Sequence, residues 1–153
     1  LKEQSPKTKL VITEPDNAQL VNSLIAQKRN QDGSPASAHD SWNPHPIQGW
    51  TPDFIPLVLQ ESIDKKYFDL NIPVSGEDGI YWSHQLARNE GIITGISGGS
   101  TFAVAMKIAE KAEDGANILC MLADTAERYL TSVLFEMIDS EMNDEENEIL
   151  NFF

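Results

Sequence analysis

The chain has only one cysteine, Cys120, among its 153 residues. A single cysteine excludes a disulfide within the chain, and this scarcity is typical of proteins in a reducing compartment. No apolar run approaches the length of about 20 residues that a membrane helix needs. The chain also does not open with a basic segment followed by an apolar one, as a secretory signal does. We therefore expect a cytoplasmic protein that has no membrane partner.

Basic residues are also scarce. Eleven lysines and arginines face 24 aspartates and glutamates, which gives a net charge of −13. A surface of that sign repels nucleic acid, so we exclude nucleic acid as a partner. Part of the charge is local, because Asp139 to Glu148 carries six carboxylates and no basic residue. We separate an acidic tail, residues 139–153, from a single domain formed by residues 1–138.

Metal-binding and nucleophilic patterns are missing too. Neither histidines nor carboxylates show metal-ligand spacing with the cysteine, so we predict no metal site. Of the three histidines, His39 is expected in a solvated loop, His45 in a structural hydrogen bond, and His84 at a surface or interface. Cys120 lies inside an apolar run, which favours inert packing because reactive thiols need an accessible, electropositive setting.

Hydrophobic periodicity predicts alternating strands and helices. Strands are expected at 9–13, 68–74 and 117–122, the last a continuous apolar run covered on both faces. Helices are expected at 17–28, 57–63, 78–89, 101–112 and 129–138, with an exposed loop at 29–43. This order is typical of an α/β fold, a parallel sheet with flanking helices. Ligands of such sheets lie beyond the carboxyl ends of the strands, where the turn around Ser97 and the loop after Leu122 fall.

The turn from Gly95 to Gly99 matches the G-x-S-x-G pattern of a hydrolase nucleophile elbow. That mechanism needs an acid and then a histidine later in the chain, but all three histidines precede Ser97, which excludes it. A phosphate-binding P-loop is excluded because the Gly-Lys-Ser/Thr element is missing. Two interpretations stay open: Ser97 or Ser100 caps the next helix, or the turn holds an anion or polar ligand atom.

Four segments resemble one family, in the order in which that family carries them. Residues 90–100 resemble E-E-G-I-L-A-G-I-S-S-G, and residues 122–132 resemble L-P-(D/S)-(T/S)-G-E-R-Y-L-S. Residues 45–49 resemble H-K-I-Q-G, and residues 11–15 resemble V-x-x-E-P. Up to about residue 135 the chain is therefore similar to the C-terminal part of cysteine synthase (O-acetylserine sulfhydrylase), a pyridoxal phosphate enzyme of fold type II. The related cystathionine β-synthase has G-G-S-x-G-S-T-V-A-V, which resembles residues 95–104.

The resemblance implies that pyridoxal 5'-phosphate is the cofactor and that the Ser97 hydroxyl donates a hydrogen bond to its pyridine nitrogen. A neutral hydroxyl suits an unprotonated ring nitrogen, whereas a carboxylate at that place would hold a pyridinium. Gly95 and Ala123 are the other residues of the matched motifs that we assign to the cofactor site. Asp124, which follows the last predicted strand, is also assigned to it, and Glu127 is a further candidate for ligand contact. Capping and a salt bridge to Arg128 are the competing roles of these two carboxylates.

Gln48 and Gly49 correspond to the family segment that borders the substrate. The next four residues, 50–53, read Trp-Thr-Pro-Asp where the family has I-G-A-G. Ala123 replaces the proline of L-P-(D/S), and Ala126 replaces the glycine of G-E-R. The substrate preference of this rim is therefore left open.

The family's Schiff-base lysine, its T-S-G-N-T loop and its phosphate-binding G-T-G-G-T loop all lie upstream of the matched region. Residues 1–5 resemble the end of the helix that follows the phosphate loop. We therefore assign no catalytic residue to this chain and expect it to be inactive alone. Its expected partners are the missing N-terminal part and a second copy in a homodimer, with serine acetyltransferase as a candidate.

In the intact enzyme we expect cysteine to be made from O-acetylserine and sulfide by β-replacement. Two alternatives remain. One is a non-catalytic fragment or pseudoenzyme that acts as a binding module, and the other is an enzyme of the cystathionine β-synthase type.

Overall fold

The computed structural model describes residues 2–139 and 141–152. Its regular elements follow one another in the order strand, helix, strand, helix, helix, helix, with a short 3-10 helix before the last. They are β1 (Val11–Pro15), α1 (Leu57–Asp64), β2 (Leu70–Val74), α2 (Gly76–Glu90), α3 (Ile96–Ala109), the 3-10 helix Ala126–Tyr129, and α4 (Asp144–Phe152). The α/β class predicted from the sequence is confirmed.

The sheet of the described residues consists of β1 and β2, which run parallel with Thr13 opposite Ile72. Both strands begin two residues later than predicted. The Asp69 carboxylate accepts the Leu10 N–H at 2.7 Å, immediately before the pairing starts. Val74, at the end of β2, is 1% exposed and joins the main apolar core. The carboxyl ends of the two strands therefore lie over that core.

The predicted strand at 117–122 is wrong, because this segment adopts no regular secondary structure. Leu119 and Met121, which would share one face of a strand, are 99% and 72% exposed, and Ile118 on the other face is 40% exposed, so the run is not covered on both faces. A buried strand gains its stability from a paired backbone and packed faces, and the described residues offer this segment neither.

The helix predicted at 17–28 is also wrong, and a buried carboxylate explains why. Glu14, which is 4% exposed, accepts the backbone N–H groups of Val21 and Asn22 at 2.9 Å each and the Asn71 amide at 2.6 Å. Donors that would bond along a helix are thereby diverted to a side chain. Leu24 then adopts φ of 59°, which no right-handed helix contains.

Three helix predictions hold in outline. The helix at 57–63 is α1, and the helix at 78–89 is α2, which begins two residues earlier. Of the two caps that the sequence offers for this helix, Ser75 and Glu77, it is Ser75 that caps α2, since its hydroxyl accepts the Asp78 N–H at 3.0 Å. Gly91 ends α2 in the left-handed conformation at φ 67°. The helix expected from residue 101 starts at Ile96, so the glycine-rich turn is itself helical.

Small residues let α2 and α3 approach closely. A methyl group added at Gly79 would lie 2.2 Å from the Ser100 hydroxyl, and one at Gly99 would lie 2.2 Å from the Ser83 hydroxyl. The main core beneath this contact includes Ile47, Val74, Ile96, Ala103, Val104, Ala126, Tyr129 and Leu134. The turn at the start of α3 is thus anchored on a buried layer.

The helix predicted at 129–138 is replaced by the 3-10 helix and a series of turns, such as Ser132 N–H to Tyr129 O at 2.9 Å. Of the predicted apolar face, Leu134 is buried in the main core, but Leu130, Met137 and Ile138 are 64%, 89% and 61% exposed, so most of the face that would stabilise a helix here is unpacked. In the tail, α4 buries none of its residues.

At the other end of the chain, residues 2–4 form a turn rather than a helix, and Leu1 lies outside the described residues. Across the described ranges, none of the helices combines the length and apolar character needed to cross a membrane.

Candidate cofactor site

Ser97 lies in the first turn of α3. The N-cap of this helix is Gly95, which offers no side-chain hydrogen bond, so capping by Ser97 or Ser100 is not observed. The Ser100 hydroxyl instead donates to the Ile96 carbonyl at 2.8 Å. Ser97 is 6% exposed, and within residues 2–139 and 141–152 its hydroxyl has no hydrogen-bond partner. A hydroxyl without a protein partner beside the positive end of a helix suits a polar ligand atom.

Gly95, Asp124 and Tyr129 meet at the start of α3. A methyl group on Gly95 would lie 2.4 Å from the Tyr129 ring and 2.6 Å from Asp124 Oδ1. The Tyr129 hydroxyl donates to Asp124 Oδ2, while Asp124 Oδ1 is buried without a partner among the described residues. The structure thus brings together Gly95 and Asp124, two of the residues that the sequence assigned to the cofactor.

Thr94 fastens the loop of Asp124 to the turn. Its hydroxyl donates to the Asp124 carbonyl at 3.2 Å, and its backbone forms an antiparallel bridge with Thr125. A methyl group on Gly98 would lie 2.0 Å from the Thr94 hydroxyl oxygen. Sequence reasoning missed both Thr94 and Tyr129. A signal for Thr94 existed, since it stands where the family motif has alanine.

The electrostatics of the site centre on Asp124. The hydrogen bond to that carboxylate, and then burial, raises the pKa of Tyr129 above its ordinary value. The Tyr129 hydroxyl therefore stays a donor over a wide pH range. Glu127 is exposed, and hydrogen bonds, chiefly that of the Thr125 side chain, lower its pKa. Ala123 is exposed beside Asp124.

The predicted substrate rim lies over the same core. Gln48 and Gly49 are exposed, and no hydrogen bond between described residues joins either of them to the Ser97 turn. The neighbouring Ile47 is fully buried and belongs to one apolar cluster with Ile96, at the first position of α3. The rim and the start of α3 are therefore connected through packing.

The rim also borders an apolar cavity of about 280 Å³ that Ser97 does not line. Its walls include Trp50, Thr51 and Pro52, three of the four residues that depart from the family's I-G-A-G. Thr51 has φ of 39°, a conformation that β-branched residues rarely adopt. Its carbonyl accepts from the Trp42 indole at 3.1 Å and from His45 Nε2 at 3.2 Å, which holds the turn in place.

The histidines have structural roles. The structural hydrogen bond predicted for His45 is confirmed. The prediction of a solvated His39 is wrong, because that residue is 5% exposed, its Nε2 contacts the Ile25 carbonyl at 3.0 Å, and its Nδ1 accepts the Ser41 N–H. His84 is partly buried and its Nε2 donates to the Leu134 carbonyl at 2.6 Å. Among the described residues no cluster of metal-ligating side chains occurs.

Cys120 is partly buried, and burial raises the pKa of its thiol. This agrees with the predicted unreactive side chain, since the thiolate is the nucleophilic form.

The residues around Ser97 fit the pyridine end of pyridoxal phosphate. The ring nitrogen is an acceptor, and the hydroxyl of Ser97, a residue that is 6% exposed, is a donor without a partner among the described residues. The backbone N–H groups at the uncapped start of α3 add positive potential on the same side.

Comparison with known proteins gives the family to which the chain belongs. The family model described as pyridoxal-phosphate dependent enzyme matches residues 1–124. The chain belongs to this family, and with cysteine synthases among its relatives it is a fold type II, cysteine synthase-like protein. The family depends on pyridoxal phosphate, which is therefore the cofactor of this fold.

Two curated relatives show which enzymes of the family this chain is similar to. The chain is 37% identical to O-ureido-L-serine synthase of Streptomyces lavendulae over 139 residues, covering 91% of the chain and 37% of the relative. It is 38% identical to cysteine synthase B of Campylobacter jejuni over 135 residues, covering 88% and 38%. The chain thus spans a little over a third of the length of these relatives.

Solved structures agree. The crystal structure of a mutant O-ureido-L-serine synthase bound to O-ureido-L-serine superposes with a TM-score of 0.76 at 35% identity, over 99% of this chain and 41% of that one. Cysteine synthase of Entamoeba histolytica superposes with a TM-score of 0.71 at 27% identity, over 99% and 39%.

Proposed function

We propose that this chain forms the C-terminal part of the large domain of a pyridoxal phosphate enzyme that makes cysteine from O-acetylserine and sulfide by β-replacement. The observation that carries the proposal is Ser97 at the uncapped start of α3, a residue that is 6% exposed and whose hydroxyl has no hydrogen-bond partner among the described residues. When bound, the cofactor supplies an electron sink for chemistry at the β-carbon of a serine derivative.

The role of this chain is to bind and orient the cofactor. Ser97 would donate a hydrogen bond to the ring nitrogen. The nitrogen would stay formally neutral, since a hydroxyl is too weak an acid to transfer its proton. No lysine of the chain falls in a family motif that binds the cofactor covalently, so we propose that the chain is inactive alone.

Exposed apolar side chains support a further covering segment. Leu119, Met121 and Met137 are 99%, 72% and 89% exposed. A soluble protein seldom leaves a run of large apolar groups in water, and such a surface marks an interface. Because the relatives are more than twice as long as this chain, we propose that the remaining part of such an enzyme covers these residues. Assembly into a homodimer is part of the same proposal.

A second candidate reaction is the formation of O-ureido-L-serine. It is favoured by the 37% identity to O-ureido-L-serine synthase over 91% of the chain. It is also compatible with the Trp50 to Asp53 departure at the rim, where the nucleophile would differ. Both reactions begin from a serine derivative. They differ in the atom that attacks its β-carbon, which is the sulfur of sulfide in one and the hydroxyl oxygen of hydroxyurea in the other.

The test begins with the natural protein that contains this sequence, whose intact mass and N-terminal residue are measured first. We expect a yellow protein whose visible band shifts in Ser97→Ala but not in Ser37→Ala, a control at an exposed serine. Product analysis with O-acetylserine and either sulfide or hydroxyurea then separates the two reactions. Cystathionine formed from homocysteine would instead indicate a cystathionine β-synthase.

A colourless natural protein that binds no added pyridoxal phosphate would overturn the enzymatic proposal. It would favour the alternative function, that of a non-catalytic binding module. In that case serine acetyltransferase is the partner to test by direct binding.

A further inference from the structure

Only one of the two carboxylate oxygens of Asp124 has a hydrogen-bond partner among the described residues. The Tyr129 hydroxyl donates to Oδ2, and Oδ1 is buried with no partner among the described residues. A buried carboxylate oxygen without a hydrogen bond is costly, so an unrestrained side chain would turn towards water. The Tyr129 hydroxyl opposes that rotation.

Tyr129 can do this because the 3-10 helix fixes its ring. The side chain is 9% exposed and belongs to the same apolar cluster as Ile96, the first residue of α3. Its raised pKa keeps the hydroxyl protonated, so the bond persists throughout the neutral range. The Tyr129 ring packs in the apolar core, and its hydroxyl orients the Asp124 carboxylate.

The carboxylate is directed at the backbone of Gly95. Asp124 Oδ1 lies 2.6 Å from the point where a side chain at Gly95 would begin. Gly95 is the N-cap of α3 and precedes Ser97 by two residues. The Thr94 bond to the Asp124 carbonyl joins the two loops from the other side at 3.2 Å. A change in the Asp124 side chain must therefore reach the first turn of α3.

We propose that Tyr129 is a positioning residue for the cofactor site: by holding Asp124 against Gly95, its hydroxyl fixes the first turn of α3 and thereby aims the Ser97 hydroxyl at the ring nitrogen. This inference rests on the proposed function. Tyr129 touches neither cofactor nor substrate and acts through Asp124.

The test compares Tyr129→Phe, Asp124→Ala and the double variant with the wild-type chain, and uses Tyr81→Phe as control because Tyr81 is 55% exposed. Phenylalanine keeps the ring and removes only the hydroxyl. The amide NMR signals of Ser97 and Gly98 are recorded without cofactor. The affinity for pyridoxal 5'-phosphate is measured by titration of the natural protein that contains this sequence, with the same substitutions. Denaturant unfolding of each variant confirms that it is folded.

We expect Tyr129→Phe to shift both amide signals and to weaken pyridoxal phosphate binding about threefold to tenfold, the range of one hydrogen bond. Asp124→Ala should do the same, and the double variant should add nothing further, because the two residues act in series. Additive losses, or unchanged amide signals in folded Tyr129→Phe, would overturn the proposal. Tyr81→Phe should match the wild type.

Failure of the proposed function gives a different pattern. If the natural protein that contains this sequence binds no pyridoxal phosphate, or if Ser97→Ala binds it as tightly as the wild type does, the cofactor assignment fails. The amide signals of the cofactor-free chain then decide by themselves whether Tyr129 positions the turn.

Discussion

Gly99 of α3 lies directly against the carbonyl oxygen of Gly79 on α2, so that a methyl group on Gly99 would be 2.0 Å from that oxygen. The backbone of one helix thus serves as the packing surface of the other. Neither helix can retreat easily, because Ile96 and Leu86 are buried beside this contact. The position of Ser97, two residues earlier on α3, depends on this approach.

Replacing Gly99 with alanine should therefore destabilise the fold by about 3 kcal/mol, the upper range for overpacking a core. The measurement is the free energy of unfolding in urea. Gly115→Ala is the matched control, because Gly115 has φ of 83° with open space around it. Its cost is backbone strain alone, about 1 kcal/mol. Equal losses in the two variants would refute the close approach of the helices.

Tyr129 should give the chain a stability that declines at alkaline pH. Its pKa in the folded state is raised above the ordinary value of 10.0. The folded state then holds its proton more tightly than the unfolded state does. This stability is fully present below the unfolded pKa and is lost as pH rises through the folded pKa.

The measurement is denaturant unfolding of the wild type and Tyr129→Phe between pH 8 and pH 12, a window set by the raised tyrosine pKa. The stability difference between them should shrink at the alkaline end. Ultraviolet titration should also lose its latest tyrosine phase in the variant. If Tyr81→Phe removes that phase instead, the assignment to Tyr129 is wrong.

The sequence predicted the elements that a short pattern specifies by itself. Residues 57–63 and 78–89 have helical periodicity, and Ser75 caps α2 through the Asp78 N–H three residues later. β-Branched runs predicted strands at residues 9–13 and 68–74, and both strands form but begin two residues later. A local pattern was sufficient to find each of these elements.

The failures come from contacts, present or missing, that hydrophobic periodicity does not encode. Residues 117–122 carry the pattern of a buried strand, yet no described strand pairs with them. Residues 17–28 carry the pattern of a helix, but the Glu14 carboxylate takes the N–H groups of Val21 and Asn22. At the site, Ser97 followed from a motif, whereas the Tyr129 bond to Asp124 depends on a turn geometry that periodicity does not encode.

Glu14 should contribute more to stability than an exposed carboxylate. Glu14→Ala removes the acceptor for two backbone N–H groups and the Asn71 amide. Leaving such donors buried and unpaired costs about 1 to 3 kcal/mol for each group that water cannot reach. We expect a total loss of about 3 kcal/mol in urea unfolding.

Glu14→Gln keeps one acceptor oxygen and should lose about half as much, which tests whether the bonds rather than the side-chain volume matter. Glu113→Ala, at an exposed position, should change stability by less than about 0.5 kcal/mol. A Glu14→Ala variant as stable as Glu113→Ala would mean that the loop at 17–28 is held by other contacts.

Thr51 is the position where a substitution should stabilise the chain. A β-branched residue at φ 39° carries a backbone strain of about 1 to 2 kcal/mol, which glycine does not. Glycine costs about 0.5 to 1 kcal/mol in unfolded-state entropy. Because the Trp42 and His45 bonds go to the carbonyl, Thr51→Gly retains both. The expected gain is therefore about 0.5 to 1 kcal/mol.

The gain is measured as an increase in the urea midpoint at an unchanged slope. Thr131→Gly is the control, since Thr131 is exposed and is not among the residues with positive φ. That variant should lose stability, because it has the entropic cost without any relief of strain. If Thr51→Gly loses as much as Thr131→Gly, the turn is not strained. A gain would mean that the natural threonine keeps a costly conformation in the wall of the cavity, which is the behaviour expected of a residue retained for ligand selection rather than for folding.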